Sequence, residues 1–326
     1  MESLLRVAIA QIAPVWLHRA QTLEKVADSV ESAVDAGGQL VTFGESLVPG
    51  YPFWLERLHG ARFNASDLKE IHARYVEQSV CIEDGDLSSL CALASARRVA
   101  VVIGVIERPA ARGESVYASV VYINANGIIG SVHRKLMPTY EERLVWASGD
   151  GHGLRTHRLG PFTVGALNCW ENWMPLARTA LYAQGEDLHV AIWPGGLHNT
   201  EDLTRFIAKE ARSYVVSVSG LLHRDQVPTD APQRQALIAG NGEWLANGGS
   251  CVAAPDGSWL LAPIVGRECI EVVELDHQKV RQERQNFDPT GHYSRPDVLQ
   301  LTVNRQRQET ALFLDDKQGE NPSESV

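Results

Sequence analysis

Apolar and polar residues alternate with period two over Leu4–Ile12, which predicts a first strand. The period then changes. Thr22–Ala36 places Leu23, Val26, Val30, Ala33 and Val34 at helical spacing, with Thr22 as N-cap and Gly37-Gly38 as the stop. The same exchange of periods recurs along the chain. Strands are predicted at Gln39–Phe43, Val99–Glu107 and Val116–Asn124, and a helix at Leu87–Arg97. Asn126-Gly127 joins the third of these strands to Ile128–His133, a strong hairpin signal. Further on, strands are expected at Phe162–Asn168, Leu188–Trp193 and Val215–Ser219, with helices at Pro175–Gln184 and Glu201–Ser213. Gly249–Ala253 and Trp259–Ala262 flank the turn Pro255-Asp256-Gly257, and Ile270–Leu275 closes the series.

Strands and helices in alternation, with interspersed hairpins, specify an α/β layered domain with mixed sheets. No change in composition marks a linker, so residues 1–303 are expected to form one domain. Phe53–Ser79 and Leu222–Asn247 read as irregular. The second is rich in proline and polar residues and too long for an ordinary connection, so it is expected to be functional or interfacial. Residues 304–326 read as a polar tail, mobile or interfacial, with an apolar patch at Ala311–Leu314 suited to docking on a neighbour.

Composition narrows the partners. A chain of 326 residues, 44% hydrophobic and 21% charged, can bury a sizeable core. Its net charge of −10 disfavours nucleic acid and anionic membrane, because both select for basic surfaces. The longest apolar run, Val99–Ile106, is far short of the ~20 residues of a membrane span. Glu2, Arg6 and Gln11 interrupt the apolar N-terminus, which reads as a strand and not as a signal peptide. The five cysteines are odd in number and contain no C-x-x-C pair, so a reduced, cytoplasmic chain is expected. Eleven histidines fall without ligand spacing, and no metal or organic cofactor is expected.

Three strand ends carry chemistry. Cys169 terminates the strand Phe162–Asn168 and precedes a helix, where dipole and free N–H groups favour a thiolate. Glu45 follows the strand Gln39–Phe43, and Lys135 follows the hairpin strand ending at His133. A thiol, a carboxylate and an ammonium at strand termini form a nucleophile, a base and a cation. Cys81, Cys91, Cys251 and Cys269 lie within helix or strand patterns and read as inert filler.

The segments around these residues are Gly44–Trp54 (GESLVPGYPFW), His133–Trp146 (HRKLMPTYEERLVW) and Asn168–Arg178 (NCWENWMPLAR). In order and spacing they resemble the three signature segments of the nitrilase, or carbon–nitrogen hydrolase, superfamily. Gly291–Asp297 (GHYSRPD) is similar to the C-terminal segment of its nitrilase branch. The resemblance covers about residues 4–303 and implies a four-layer α-β-β-α sandwich. It implies Cys169 as nucleophile, Glu45 as general base, Lys135 as stabiliser of the tetrahedral intermediate and Glu142 as a second, positioning glutamate. It also implies a dimer able to extend into open spirals. One position departs from the pattern: Gly44 stands where the family usually has proline, which is expected to loosen the presentation of Glu45.

The implied reaction is hydrolysis of a small organic nitrile to a carboxylic acid and ammonia. An aliphatic amidase or carbamoylase using the same three groups is the alternative, and a non-catalytic assembly protein on the same fold is another. Tyr51, Trp54, Trp170 and Trp193 lie close to the signature residues and are expected to line an apolar substrate pocket. His198 is expected to be structural.

Overall fold

The computed structural model describes residues 3–240 and 242–311, and the two periods of the sequence are realised in it as two sheets between helices. The first half runs β1 (Leu4–Gln11), α1 (Arg19–Asp35), β2 (Leu40–Phe43), α2 (Trp54–Arg57), α3 (Ser66–Gln78), α4 (Ser88–Arg97), β3 (Ala100–Glu107), β4 (Tyr117–Ile123) and β5 (Ile129–Arg134). Next come β6 (His157–Leu159), β7 (Phe162–Asn168), α5 (Pro175–Tyr182), β8 (Leu188–Trp193), α6 (Leu197–Ala211) and β9 (Tyr214–Ser219). The chain continues through β10 (Leu221–His223), α7 (Arg234–Leu237), β11 (Trp244–Ala253), β12 (Trp259–Val265), β13 (Cys269–Asp276) and α8 (His277–Glu283).

One sheet has the order β13-β1-β2-β3-β4-β5; the other is β10-β11-β9-β8-β7-β6, with β12 added on β11. Each has a parallel centre, β1-β2-β3 and β7-β8-β9, with antiparallel strands outside it. Alternation decides what each strand buries. Leu5, Val7 and Ile9 of β1 face Val164, Val190 and Val216 of the opposite sheet across the central core. Ala8 and Ala10 point the other way, onto the layer formed by Val26 and Val30 of α1 and Leu90 and Ala94 of α4. Leu203, Ile207 and Ala208 of α6 cover Ala191 and Val215 on the far side. The result is the expected α-β-β-α stack. Strands covered on both faces are apolar almost throughout: all eight residues of β3 are buried, and its one charged side chain, Glu107, pairs with Arg134. Among the described residues, no helix is long and apolar enough to cross a membrane.

Several segments depart from the expectations. Phe53–Ser79 is largely helical: α2 and α3 occupy it, and Leu68, Ile71, Tyr75 and Val76 form the buried stripe of α3. The intervening Asp67, Lys69, Glu70, Arg74 and Glu77 obscure that stripe in the sequence. The helix expected from Glu201 begins at Leu197, and β6 and α8 are additional. Leu222–Asn247 is not wholly irregular, since it holds α7 and the start of β11. Residues just beyond 303 are held against the body. Arg307 pairs with Asp150 at 3.0 Å and donates to the Val132 carbonyl, while the Gln308 N–H donates to Asp150 at 2.9 Å. Leu312–Leu314 of the apolar patch lies outside the described residues.

The topology brings the strand ends together. β2, β5, β7 and β8 all run toward one edge of the sandwich. Gly104 in β3 lets the chain after β2 cross it closely. A Cβ there would sit 2.6 Å from Glu45 Cα and 2.7 Å from Ser46 N, distances that only backbone movement relieves. Gly104→Ala is therefore expected to destabilise the fold by about 1–3 kcal/mol through overpacking. Urea unfolding measures this, and a midpoint equal to wild type would contradict the packing argument.

Candidate active site

Glu45, Lys135 and Cys169 converge at that edge, and Glu142 joins them from the single turn Tyr140–Leu144. Lys135 leaves β5 with its N–H bonded to the Ala118 carbonyl and its own carbonyl accepting from Gly149 N–H. Its ammonium lies 2.7 Å from Glu142 Oε2 and 2.9 Å from Glu45 Oε1. All four side chains are almost wholly buried. Glu45 is held from below: its N–H donates to the Trp193 carbonyl at the end of β8, 3.2 Å away. Gly44 is hemmed in by Gly220 N and the Trp193 carbonyl, so neighbouring backbone constrains Glu45 where a proline ring is missing.

The two glutamates differ in their partners. Glu142 accepts from Lys135 Nζ, from the Tyr51 hydroxyl at 3.0 Å and from Thr139 N–H at 2.6 Å. Burial and nearby carboxylates push the Tyr51 hydroxyl well above its ordinary pKa, so it remains a donor. Neither oxygen of Glu45 accepts an aligned hydrogen bond among the described residues, despite the close ammonium. Burial raises Glu45 to a pKa of about 8; Lys135 opposes the rise and Glu142 adds to it. Burial likewise pushes the Cys169 thiol well up, with Lys135 opposing. For Lys135, burial disfavours the charge, but Cys169, Glu45 and Glu142 outweigh it and hold the ammonium above the ordinary lysine value. The site thus has one anchored contact, Lys135 with Glu142, and one carboxyl, Glu45, poised to exchange a proton with the thiol.

Cys169 sits at a sharp turn. Its φ of +44° lies in the left-handed region, at a cost of ~1–3 kcal/mol for a residue with a side chain. The turn projects Sγ toward the carboxylates: ligand atoms of Glu45, Glu142 and Cys169 all lie within 4.8 Å of one another. Such a set has the donors of a cation site, but Lys135 Nζ already contacts two of the three and supplies the positive charge covalently.

Glu171 and Asn172, which follow Trp170, are both structural to the site. Glu171 accepts from Leu136 N–H at 2.7 Å, Asn168 N–H at 2.9 Å and His133 Nε2 at 3.0 Å. It therefore ties the Lys135 segment of one sheet to the Cys169 segment of the other. Its position three residues after Asn168 is capping-box spacing, the signal that would have found it. Asn172 donates to the Cys169 and Leu167 carbonyls.

The expected pocket aromatics separate into different places. Tyr51 lies in the site and meets Trp146 edge-on at 5.6 Å. Trp146, which sequence reasoning passed over, stands 5.2 Å from Lys135 Nζ. Trp170 is 53% exposed, and its indole N–H donates to Asn199. Trp54 is buried between Trp16 and Tyr75, and Trp193 is buried with its indole on Ser217. Neither lines the two cavities at the site. Trp193 packs in one buried apolar cluster with Cys169, Ala191 and Leu203, and Trp54 in another with Trp16 and Tyr75. A cleft of about 690 Å³, bordered by Phe53, Glu56, His198, Trp244 and Tyr51, opens to solvent. A much smaller cavity shares Tyr51 and Phe53 with it and reaches Glu45.

Residues 6–285 match the family model described as carbon–nitrogen hydrolase. A protein named nitrilase 2, from an unknown prokaryotic organism, is 33% identical over 310 residues, covering 95% of both chains. An arylacetonitrilase of Macrophomina phaseolina is 32% identical over 340 residues, covering 96% of this chain and 95% of the other. Among solved structures, a carbon–nitrogen hydrolase of Helicobacter pylori G27 aligns with a TM-score of 0.68 at 19% identity, over 90% of this chain and 96% of that one. That last likeness speaks to the fold alone. The length of the family match and the full-length relatives together make this chain a member of the carbon–nitrogen hydrolase family, on its nitrilase branch.

Proposed function

We propose that the protein is a nitrilase that converts an organic nitrile to a carboxylic acid and ammonia through covalent adducts of Cys169. The observation that carries this reading is a buried thiol at a strained turn, beside an ammonium clasped by two carboxyl groups, one anchored by further hydrogen bonds and one not. Full-length relatives named nitrilases support the choice of substrate class.

Glu45 takes the thiol proton as Sγ attacks the nitrile carbon. Charge develops on the nitrile nitrogen, where Lys135 Nζ and the Trp170 N–H receive it. Preorganised donors of this kind are typically worth ~10²–10³ in rate each. Protonation of that nitrogen gives a thioimidate. Glu45 then activates a water, the tetrahedral adduct expels ammonia, and a thioester remains. A second water cleaves the thioester, releasing the acid and returning the proton to sulfur. Two waters are consumed for each nitrile, and the residues named supply every proton transfer. Glu142, through Lys135 and Tyr51, holds the ammonium in place.

Self-association is part of the same proposal. Trp173, Leu176 and Phe206 are exposed large apolar side chains in the outer layer around α5 and α6, a pattern that marks contact surfaces. The free cysteines suit a reducing, cytoplasmic setting.

Cys169→Ala and Glu45→Gln should each abolish ammonia release from a nitrile panel. Wild type turning over amides but no nitriles would transfer the reading to an amidase, and substantial turnover by either variant would sink it. Because Glu45 acts only when ionised, and burial holds its pKa at about 8, kcat/KM should rise with pH along a limb centred near 8. The sign for stability is opposite. A carboxyl whose folded pKa exceeds its ordinary 4.5 stabilises the fold at low pH, and that contribution is lost as pH rises through about 8. Denaturation from pH 5 to 9 should therefore show wild type losing stability that Glu45→Gln keeps; parallel curves for the two would refute the shift. Light scattering should give a dimer or larger, and a monomeric mass at working concentration would remove the assembly proposal.

A further inference from the structure

Behind the nucleophile lies a chain of buried polar groups that the reaction just described does not use. Glu186, His189 and Asn172 are fully buried. Glu186 Oε1 is 2.9 Å from His189 Nδ1, and His189 Nε2 is 2.7 Å from Asn172 Oδ1. Asn172 Nδ2 donates to the Cys169 carbonyl at 2.8 Å and to the Leu167 carbonyl at 3.3 Å. These bonds fix the proton positions. The Asn172 amide nitrogen faces two carbonyls, so its oxygen must be the acceptor toward His189, and His189 must carry hydrogen on Nε2. Nδ1 and Glu186 then share the remaining proton.

The fold makes room for this chain at some expense. Gly165 lies inside β7, and a Cβ there would overlap Glu186 Oε1. A glycine inside a strand gives up packing and chain entropy, which suits close approach of another group. Arg178, also buried, donates to the Asn172 carbonyl at 2.6 Å and fixes the far side of the same residue.

The Cys169 carbonyl that ends the chain belongs to the peptide whose N–H is that of Trp170. The peptide is trans, so this N–H points away from Asn172, on the side opposite the relay. A carbonyl that accepts a hydrogen bond polarises its amide and strengthens the N–H as a donor, and linked bonds reinforce one another. We propose that Glu186, His189 and Asn172 are positioning residues that orient and polarise the Cys169–Trp170 peptide, so that its N–H meets the negative charge developing on the substrate. The inference rests on Cys169 being the nucleophile. It assigns the relay to stabilisation of the transition state, not to reactivity of the sulfur.

The test uses the full-length protein, the nitrile it turns over best, and the aldehyde of the same side chain, which adds to the thiol to give a tetrahedral adduct. Asn172→Asp keeps the acceptor for His189 but removes both amide donors. It should lower kcat by about 10-fold or more, with KM within about 3-fold, because a transition-state donor is weakened. Affinity for the aldehyde should fall by the same factor as kcat/KM, while alkylation of Cys169 by iodoacetamide stays near the wild-type rate. Glu186→Gln retains shape and a hydrogen-bonding group at His189 Nδ1 and removes the proton that the two share. It should show a smaller fall of the same kind, and it reads the relay independently if Asn172→Asp does not fold. Alkylation falling in step with kcat, or kcat unchanged in both variants, would overturn the inference. Failure of wild type to form a Cys169 adduct with the aldehyde would overturn the nucleophile assignment as well.

Discussion

Lys135 brings a full positive charge into an almost wholly buried place, and the arrangement of the site follows from the need to balance it. An isolated ammonium would lose its proton on burial; here three potential anions surround it and the charge is kept. Balance by one carboxylate is enough, and Glu142 supplies it with the Tyr51 hydroxyl and Thr139 N–H as further anchors. Glu45 is then left over, in contact but unanchored. Burial without such anchors raises its proton affinity, the state that the proposed role of base requires.

Such a cluster forms only if distant segments are delivered to within hydrogen-bond reach. Two parallel-centred sheets packed face to face do this because β2, β5, β7 and β8 end at one edge. The precision comes from backbone contacts. Gly104 admits the Glu45 segment, the Trp193 carbonyl fixes its N–H, and Glu171 bonds to segments from both sheets at once. Few of these groups touch the place of reaction. They restrict the freedom of those that do, and the strain at Cys169 is sustained by that surrounding framework.

Reading the chain in one dimension succeeded where a signal is local. Apolar periodicity marked most strands, the Asn126-Gly127 turn marked a hairpin, and the segments around Glu45, Lys135 and Cys169 carried a long pattern in register. It is silent on where a side chain is packed. Trp54 is buried against Tyr75, Trp193 shares a buried cluster with Cys169, and Trp146 is brought up to Lys135. The helix α3 was missed because its buried stripe is sparse among charges, and the contact of Arg307 with Asp150 has no periodicity at all.

The amino-acid order by itself determined the layered α/β class and singled out the segments around Glu45, Lys135 and Cys169, because burial periods and long motifs are written into consecutive residues. Only the tertiary structure decided which glutamate is anchored and which is poised, which aromatic residues reach the site, and which buried polar groups support the turn at Cys169. Those distinctions depend on desolvation and on distances between side chains far apart in the chain. No stretch of neighbouring residues encodes either one.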